Sequence, residues 1–344
     1  MADGFHNRIT RRRALSIAGG AAAGLAAGKA FAAQEASPAA SPPGGEWTYT
    51  DVLGKTITLP ERPVRIAANL VTAAALWDLG IHAMAVFDWT ASAYPDGDHI
   101  AWGNVDASAV ANVGDADGNI LPEDMLVAAP DIILTLTFDA DDPTQVGGVP
   151  VDLAERMEQI APVLVVTDMA STELQLERLV ALGASLGADL EAPEIVEAKA
   201  AYDAKVAEFQ EVAASKSDLK SAFMNFESEL IWVGGPGGVA ELEFLQTLGL
   251  VFANADSPAA GDFWEELSAE EAIKYPSDII FTDVYSMFRS AEELQTQPVF
   301  AALPAVEAGQ VGAWDRDFPV NYAGITDFLE TLLVTLRDAE KVTE

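Results

Sequence analysis

The chain reads as an α/β protein of two lobes joined by one long helix, and three observations carry that reading. The first is Pro193 to Ala214, PEIVEAKAAYDAKVAEFQEVAA, where Ile195, Ala198, Tyr202, Val206, Phe209 and Ala213 recur in steps of three and four. Pro193 suits a first helical turn, no Gly interrupts the run, and Ala, Glu and Lys dominate it. At about 1.5 Å per residue such a helix reaches roughly 33 Å, the span of a small domain. The second is an internal echo. Pro130-Asp131-Ile132-Ile133 and Pro276-Ser277-Asp278-Ile279-Ile280 each follow a short helical run, one on either side of the long helix. The third is the alternation of amphipathic runs with apolar stretches such as Pro162 to Val166, the pattern of strands buried on both faces of a parallel sheet.

Half of the 344 residues are hydrophobic, enough for a sizeable core. The start stands apart from that core. Arg8, Arg11, Arg12 and Arg13 precede an Ala/Gly/Leu run and then Ala30-Phe31-Ala32, the order of a secretory signal with an A-x-A cleavage site. Thr10-Arg11-Arg12-Arg13-Ala14-Leu15 resembles a twin-arginine export signal, so residues 1–32 are expected to direct export through the Tat pathway. The run is too short and Gly-rich to span a bilayer, which takes about 20 strongly apolar residues. Residues 33–45, AQEASPAASPPGG, read as a flexible linker. The chain contains no Cys, so disulfides, thiolate metal sites, cysteine nucleophiles and a lipid-bearing cysteine are all excluded. The net charge is −35; residues 33–344 carry 14 basic against 53 acidic side chains, a net −39. Such a surface repels nucleic acid and anionic membrane.

Along the chain, Trp47 to Leu59 alternates around a Gly turn and predicts a hairpin. Val64 to Asn69 predicts a buried strand, Thr72 the cap of a helix that Gly80 ends, and Ala83 to Phe87 the next strand. Asp88 to Gly114 gathers Trp89, Tyr94, His99 and Trp102 amid Gly, Asp and Asn, the make-up of a ligand-facing loop. Asp115 to Asn119 begins like a calcium loop, but the twelfth position, where an EF-hand needs a carboxylate, is Leu126. Helices are predicted at Pro122–Ala128, Val151–Ile160 and Thr172–Leu186, with strands at Pro130–Leu134 and Pro162–Val166. Past the long helix, strands at Ala222–Phe226 and Leu230–Val233 lead to Gly234-Gly235-Pro236-Gly237-Gly238 and a helix at Val239–Leu248. That loop lacks the Lys and Ser/Thr of a phosphate-binding loop and reads as plain connection or cleft lining. Val284 to Arg289 closes the second Asp-Ile-Ile strand, at the carboxyl end where α/β sheets hold ligands. A strand at Val311–Trp314 and a helix at Tyr322–Ala339 complete the order.

Five separate motifs across residues 47–339 resemble one family. They are Asp51-x-x-Gly54 with Leu59-Pro60, Pro63-x-Arg65-Ile66 and Leu79-Gly80-Ile81; the first Pro-Asp-Ile-Ile run; Leu153 to Val163; Trp264-x-x-Leu267-Ser268-x-Glu270; and Pro298 to Val311. In this order they are similar to the periplasmic binding proteins that serve ABC importers of ferric siderophores, haem and cobalamin. The resemblance implies two Rossmann-like α/β lobes at 46–191 and 216–344, joined by a helical backbone at 192–215 that permits only small closure. It implies a monomeric, non-enzymatic carrier with no covalently bound cofactor, which captures a ferric siderophore-like complex and delivers it to a permease dimer. Cobalamin or haem is the alternative within the class. It implies permease docking through one Glu on each lobe, by motif position Glu123 and Glu270.

The residues themselves bear on the chemistry. Beyond the signal there are two His, His82 and His99, a poor ligand set for a free transition metal. His82 lies at the mouth of an apolar strand and reads as structural. No nucleophile elbow, zinc-protease helix or phosphate loop is present. A secreted hydrolase using two carboxylates is the rival from another class, because acid pairs abound. A chelate-binding cleft needs aromatic walls and a few charge partners. The candidates are Trp89, Tyr94 and Trp102 from the first lobe and Tyr285, Phe288, Arg289, Trp314 and Arg316 from the second. With only seven Arg after the signal, the ligand is expected to be a neutral or weakly charged chelate such as a hydroxamate.

Overall fold

The computed structural model of the protein describes residues 45–139, 142, 144–168, 171–257 and 263–344. The expected export signal and all of the expected linker but Gly45 lie outside the described residues.

The first lobe begins with a hairpin of β1 (Trp47–Thr50) and β2 (Thr56–Leu59), paired from Trp47 with Leu59. Asp51 accepts from the N–H groups of Leu53 and Lys55 and sets its turn. Trp47 is buried, and its indole N–H donates to the carbonyl of Ser185. A parallel sheet follows in the order β5 (Ala111–Asn112), β4 (Ala85–Phe87), β3 (Ile66–Asn69), β6 (Ile132–Leu136), β7 (Val163–Thr167). Its helices are α1 (Leu70–Trp77), α2 (Trp89–Ala93), α3 (Pro122–Ala128), α4 (Val151–Ile160) and α5 (Thr172–Ser185). One expectation is corrected here. Asn69, not Thr72, caps α1: its Oδ1 accepts from the N–H of Val71, and Thr72 is buried within the first turn.

The long helix α6 runs from Pro193 to Ser215, and the six apolar positions of its predicted stripe are all buried or half-buried, with Lys205, Glu208 and Val212 half-buried beside them. Beyond it lies the second sheet, ordered β10 (Trp264–Ser268), β9 (Leu230–Gly234), β8 (Ser221–Phe226), β11 (Ile279–Asp283), β12 (Val311–Trp314). β8, β11 and β12 are parallel; β8–β9 and β9–β10 are antiparallel. Only three residues join β8 to β9, too few for the crossover a parallel pair requires, so this lobe departs from the first on that side. Its helices are α7 (Ala240–Thr247), the short α8 (Ala291–Gln295), α9 (Pro298–Ala301) and α10 (Pro304–Glu307), and α11 (Tyr322–Leu336).

The echoed motif has a physical meaning. The N–H of Asp131 donates to the carbonyl of Arg65, and its carboxylate accepts from the N–H groups of Val64 and Arg65 at the mouth of β3. Asp278 does the same at the mouth of β8: its N–H donates to the carbonyl of Lys220 and its carboxylate accepts from the Lys220 N–H. Each Asp therefore sets the register of its lobe's central strand pair. The Thr that follows each motif is buried, with Thr135 donating to the Gly147 carbonyl and Thr282 to that of Arg289.

Alternation along the strands sends side chains to two faces. Ile66, Ala68, Ile132 and Leu134 join a core that continues through α1, α5, α6, α7 and α11 to Phe223, Phe281 and Trp314 of the second sheet. Ala67 and Ile133 instead face a cluster under α3 and α4, and Ala222, Met224 and Ile280 one under α8–α10. The main core is thus shared by both lobes. α11 lies along α6, with the rings of Tyr202 and Tyr322 5.6 Å apart and Lys205 bridging Glu208 and Glu330 at 2.8 and 2.6 Å. The start of α11 is pinned to the first lobe. Asn321 caps it through the N–H of Gly324 and donates to the carbonyl of Ala74. Gly103, at φ +51°, sits where a Cβ would lie 2.7 Å from Pro319.

Candidate functional site

Both parallel strand sets turn their carboxyl ends toward the seam between the lobes, and residues at and just beyond the strand ends form its two walls. β4 is followed by Asp88, whose carboxylate caps α2 through the N–H of Thr90 and accepts from the side-chain amide of Asn69, the residue that ends β3. Burial pushes the Asp88 carboxyl up; those hydrogen bonds draw it back, and the nearby charge of Asp317 raises it further. Trp89 is the first residue of α2. Its backbone is buttressed by Gly118, at φ +82°, where a Cβ would meet the Trp89 nitrogen at 2.6 Å. The calcium-like stretch owes its shape to this contact: Asp115 accepts from the N–H groups of Asp117 and Asn119 and folds the loop on itself.

His99 occupies the centre of the first wall. Its ring lies 4.6 Å from that of Tyr94 and 6.3 Å from Trp89. Nδ1 accepts from the N–H of Ala101, so in the neutral ring the proton sits on Nε2. Nε2 faces the opposite lobe, 3.4 Å from Tyr285 Oη and 4.0 Å from Asp317 Oδ2.

The second wall is set by Asp283, the buried last residue of β11, which accepts from the N–H of Tyr285 and holds that ring at the cleft. The Tyr285 ring lies 5.7 Å from Trp89, and its hydroxyl donates to Asp317. Burial and the adjacent Asp317 charge keep the phenol protonated well above its ordinary range, so it acts as a donor. Arg316 follows β12. Its Nε lies 3.0 Å from Asp283 and 3.9 Å from Asp317, and its guanidinium stacks 5.1 Å from the Trp264 ring, 5.3 Å from Tyr285 and 5.6 Å from Phe263. Burial raises the Asp283 carboxyl, and the Arg316 charge opposes it. Glu241, in the first turn of α7 and 8% exposed, is pushed up to about 7 by burial, against the pull of Arg316.

Five of the eight cleft candidates come together in or beside this site. Trp89 and Tyr94 stand on one wall, Tyr285 and Arg316 on the other, and Arg289 lies at the rim, 46% exposed and 3.4 Å from Asp315. Three are corrected. Trp102 is buried in the shared core beside α1. Trp314 lies across the face of the second sheet, 5.3 Å from Phe223 and 5.6 Å from Trp264, over Gly234, where a Cβ would meet its ring at 2.9 Å. The glycine loop's small residues serve that packing and the close approach of Gly235 to the carbonyl of Ser257. Phe288 packs outward, 6.1 Å from Phe300 in the cluster under α8–α10. His99, Asp317, Phe263 and Trp264 belong to the site and were not among the candidates.

Glu123 and Glu270 stand at equivalent places. Each lies in the first turn of a helical segment that returns from the carboxyl edge of a sheet to an Asp-Ile-Ile strand, and both are exposed. Glu123 pairs with Arg156 at 2.8 Å. Among the described residues no three His, Asp or Glu side chains converge as a metal site, and no helix is long and apolar enough to cross a membrane.

A family model described as periplasmic binding protein matches residues 66–318. Among solved structures the chain is similar to DesE, a ferric-siderophore receptor protein from Streptomyces coelicolor, at 29% identity and a TM-score of 0.75, over 86% of this chain and all of that one. It is also similar to the siderophore periplasmic binding protein from the fuscachelin gene cluster of Thermobifida fusca, at 23% identity and 0.58, over 81% and 98%. A third likeness is to the siderophore binding protein FhuD from Vibrio cholerae bound to Fe3+–Desferal, at 16% and 0.56, over 80% and 98%. The latter two speak to the fold alone. No curated protein sequence matches the chain.

Proposed function

We propose a function from one premise: the chain belongs to the periplasmic binding protein family. It is the extracytoplasmic substrate-binding component of an ABC importer, which captures a ferric siderophore-like complex between its lobes and passes it to a permease. The observation that carries this reading is the cleft itself. Aromatic rings from both lobes meet at the strand ends, with one stacked guanidinium and a few hydrogen-bonding groups among them, the make-up of a site for a large, mostly apolar ligand. The 29% likeness to a ferric-siderophore receptor over its full length supports it. Export by the Tat signal, a monomeric carrier, and docking of Glu123 and Glu270 on a permease dimer complete the proposal. A role without catalysis belongs to the same reading, as in the substrate-binding proteins of this family.

Titrating the intrinsic tryptophan fluorescence with ferric hydroxamates, ferric catecholates, haem and cobalamin tests the reading. Trp89 and Trp264 are placed to report binding of a ferric chelate, and silence from all four ligands removes the proposal. Arg289 tests the rim. Arg289→Ala is expected to weaken a chelate whose oxygens it meets by about 1.5–3 kcal/mol, the value of a charged hydrogen bond. Unchanged affinity takes Arg289 out of the site.

The shared core and the Asn321–Ala74 seam oppose separation of the lobes. X-ray scattering with and without ligand is therefore expected to give radii of gyration that differ by less than about 1 Å. A marked contraction on loading would show a hinge that the α6–α11 packing does not provide for.

A further inference from the structure

The cleft holds more negative than positive charge, and the excess has an address. Arg316 faces two carboxylates, Asp283 at 3.0 Å and Asp317 at 3.9 Å, so one cation answers two anions. Arg289 is matched by Asp315. His99 approaches Asp317 from the other lobe, and its neutral form brings an N–H dipole without a full charge. Asp88 stands behind Trp89, close enough for the charge of Asp317 to act on it, and Glu241 lies within reach of Arg316 and Asp317. The Asp317 side chain keeps 25% of its surface open. The rings of Trp89, Tyr94 and Tyr285 stand around His99, whose Nε2 lies 4.0 Å from Asp317, and they attract a cation through their faces.

From this arrangement we propose that the cleft selects its ligand by charge, preferring a ferric chelate that carries a pendant ammonium, and that Asp317 is the discriminating residue. The proposal rests on the reading of the cleft as a ferric-chelate site and adds the sign of the ligand. A pendant cation meets a partly desolvated carboxylate whose nearest positive neighbour is already paired. A pendant anion meets the same carboxylate and, among the described residues, finds Arg316 and Arg289 already paired with Asp283 and Asp315. With charges several ångströms apart at a partly buried site, the difference corresponds to about tenfold in affinity per unit charge.

The test uses three linear ferric trishydroxamates with identical iron coordination that differ only at the terminal amine: free, N-acetylated and N-succinylated. Fluorescence titration of the folded protein at low salt is expected to give dissociation constants that rise about tenfold from the ammonium to the acetyl form and again to the succinyl form. Raised salt should compress both steps. Asp317→Asn keeps an acceptor for the Tyr285 hydroxyl and should narrow each step to about twofold. Equal constants for the three ligands, or tightest binding of the succinyl form, overturn charge selection and leave the chelate reading intact. Full steps retained in Asp317→Asn overturn the role of Asp317. Binding of none of the three removes the chelate reading and the inference together.

Discussion

Replacing Asp278 with Ala is expected to destabilise the second lobe by about 3–5 kcal/mol, the loss found when one partner of a buried ion pair is removed. Asp278 has no exposed surface, yet five donors end on its carboxylate. They are the N–H of Lys220 at 2.8 Å, of Val342 at 2.9 Å and of Thr343 at 2.7 Å, the Thr343 hydroxyl at 2.8 Å and the Lys341 ammonium at 2.9 Å. The side chain therefore ties the mouth of β8 and the last residues of the chain to β11. Ala would leave those donors without their acceptor at once. Burial by itself raises the Asp278 carboxyl, but the Lys341 charge and the N–H groups outweigh it and hold the group well below the usual carboxylate range. Its stabilisation is thus present above the ordinary carboxylate pKa and is lost as pH falls below it. Urea titrations at pH 7 and pH 3 should show the variant's deficit shrinking in acid. Asp131, with two backbone donors at a more open site, should cost less on the same change. A deficit under 1 kcal/mol for Asp278→Ala at pH 7 would mean that the carboxylate does not anchor the C-terminal tail.

The role of these two Asp residues explains why so much of the fold could be read in the sequence. A strand pair whose register is fixed by an Asp at its mouth leaves the same local signature in both lobes, and the long helix leaves a periodic stripe that tertiary packing preserves. The predicted runs at Pro122–Ala128, Val151–Ile160 and Val311–Trp314 coincide with α3, α4 and β12. The site was less legible, for a geometric reason. Whether an aromatic at a strand end faces cleft or core depends on strand parity and on which neighbour has room beneath it. Trp314 turns over the second sheet because Gly234 is small, whereas Tyr285 is turned outward by the Asp283 hydrogen bond. Composition does not separate those cases. His99 and Tyr285 are 186 residues apart, and their pairing exists because the lobes approach across a shared core and the Asn321–Ala74 contact. Asp317 was one acid among many in a chain this acidic. Its one mark in the sequence is its place beside Arg316, and the pairing of Arg316 with Asp283 exists only in the fold.

Glu241 gives the opposite pH dependence, and Glu241→Gln is expected to raise stability at pH 8 by about 3 kcal/mol. The carboxyl titrates near 7 in the fold because burial disfavours its charge, and near the ordinary Glu value once the chain unfolds. Below about pH 4 both states hold the proton and the group makes no difference. Between there and pH 7 only the folded state holds it, so stability falls by about 1.4 kcal/mol per pH unit, and above 7 the whole penalty applies. Gln has no such penalty. The variant and the natural protein should therefore unfold at similar urea concentrations at pH 4.5 and diverge steadily to pH 8, and parallel curves would show that Glu241 does not titrate as a buried acid. A residue that costs stability at neutral pH invites a functional account, and its surroundings supply one. Glu241 is close enough to Arg316 and Asp317 for their charges to act on it, so its ionisation adds to the negative field that a bound chelate meets. If that field matters, the same Gln that stabilises the fold should weaken an ammonium-bearing chelate at pH 8 and leave its affinity nearly unchanged at pH 5, where Glu241 is already neutral.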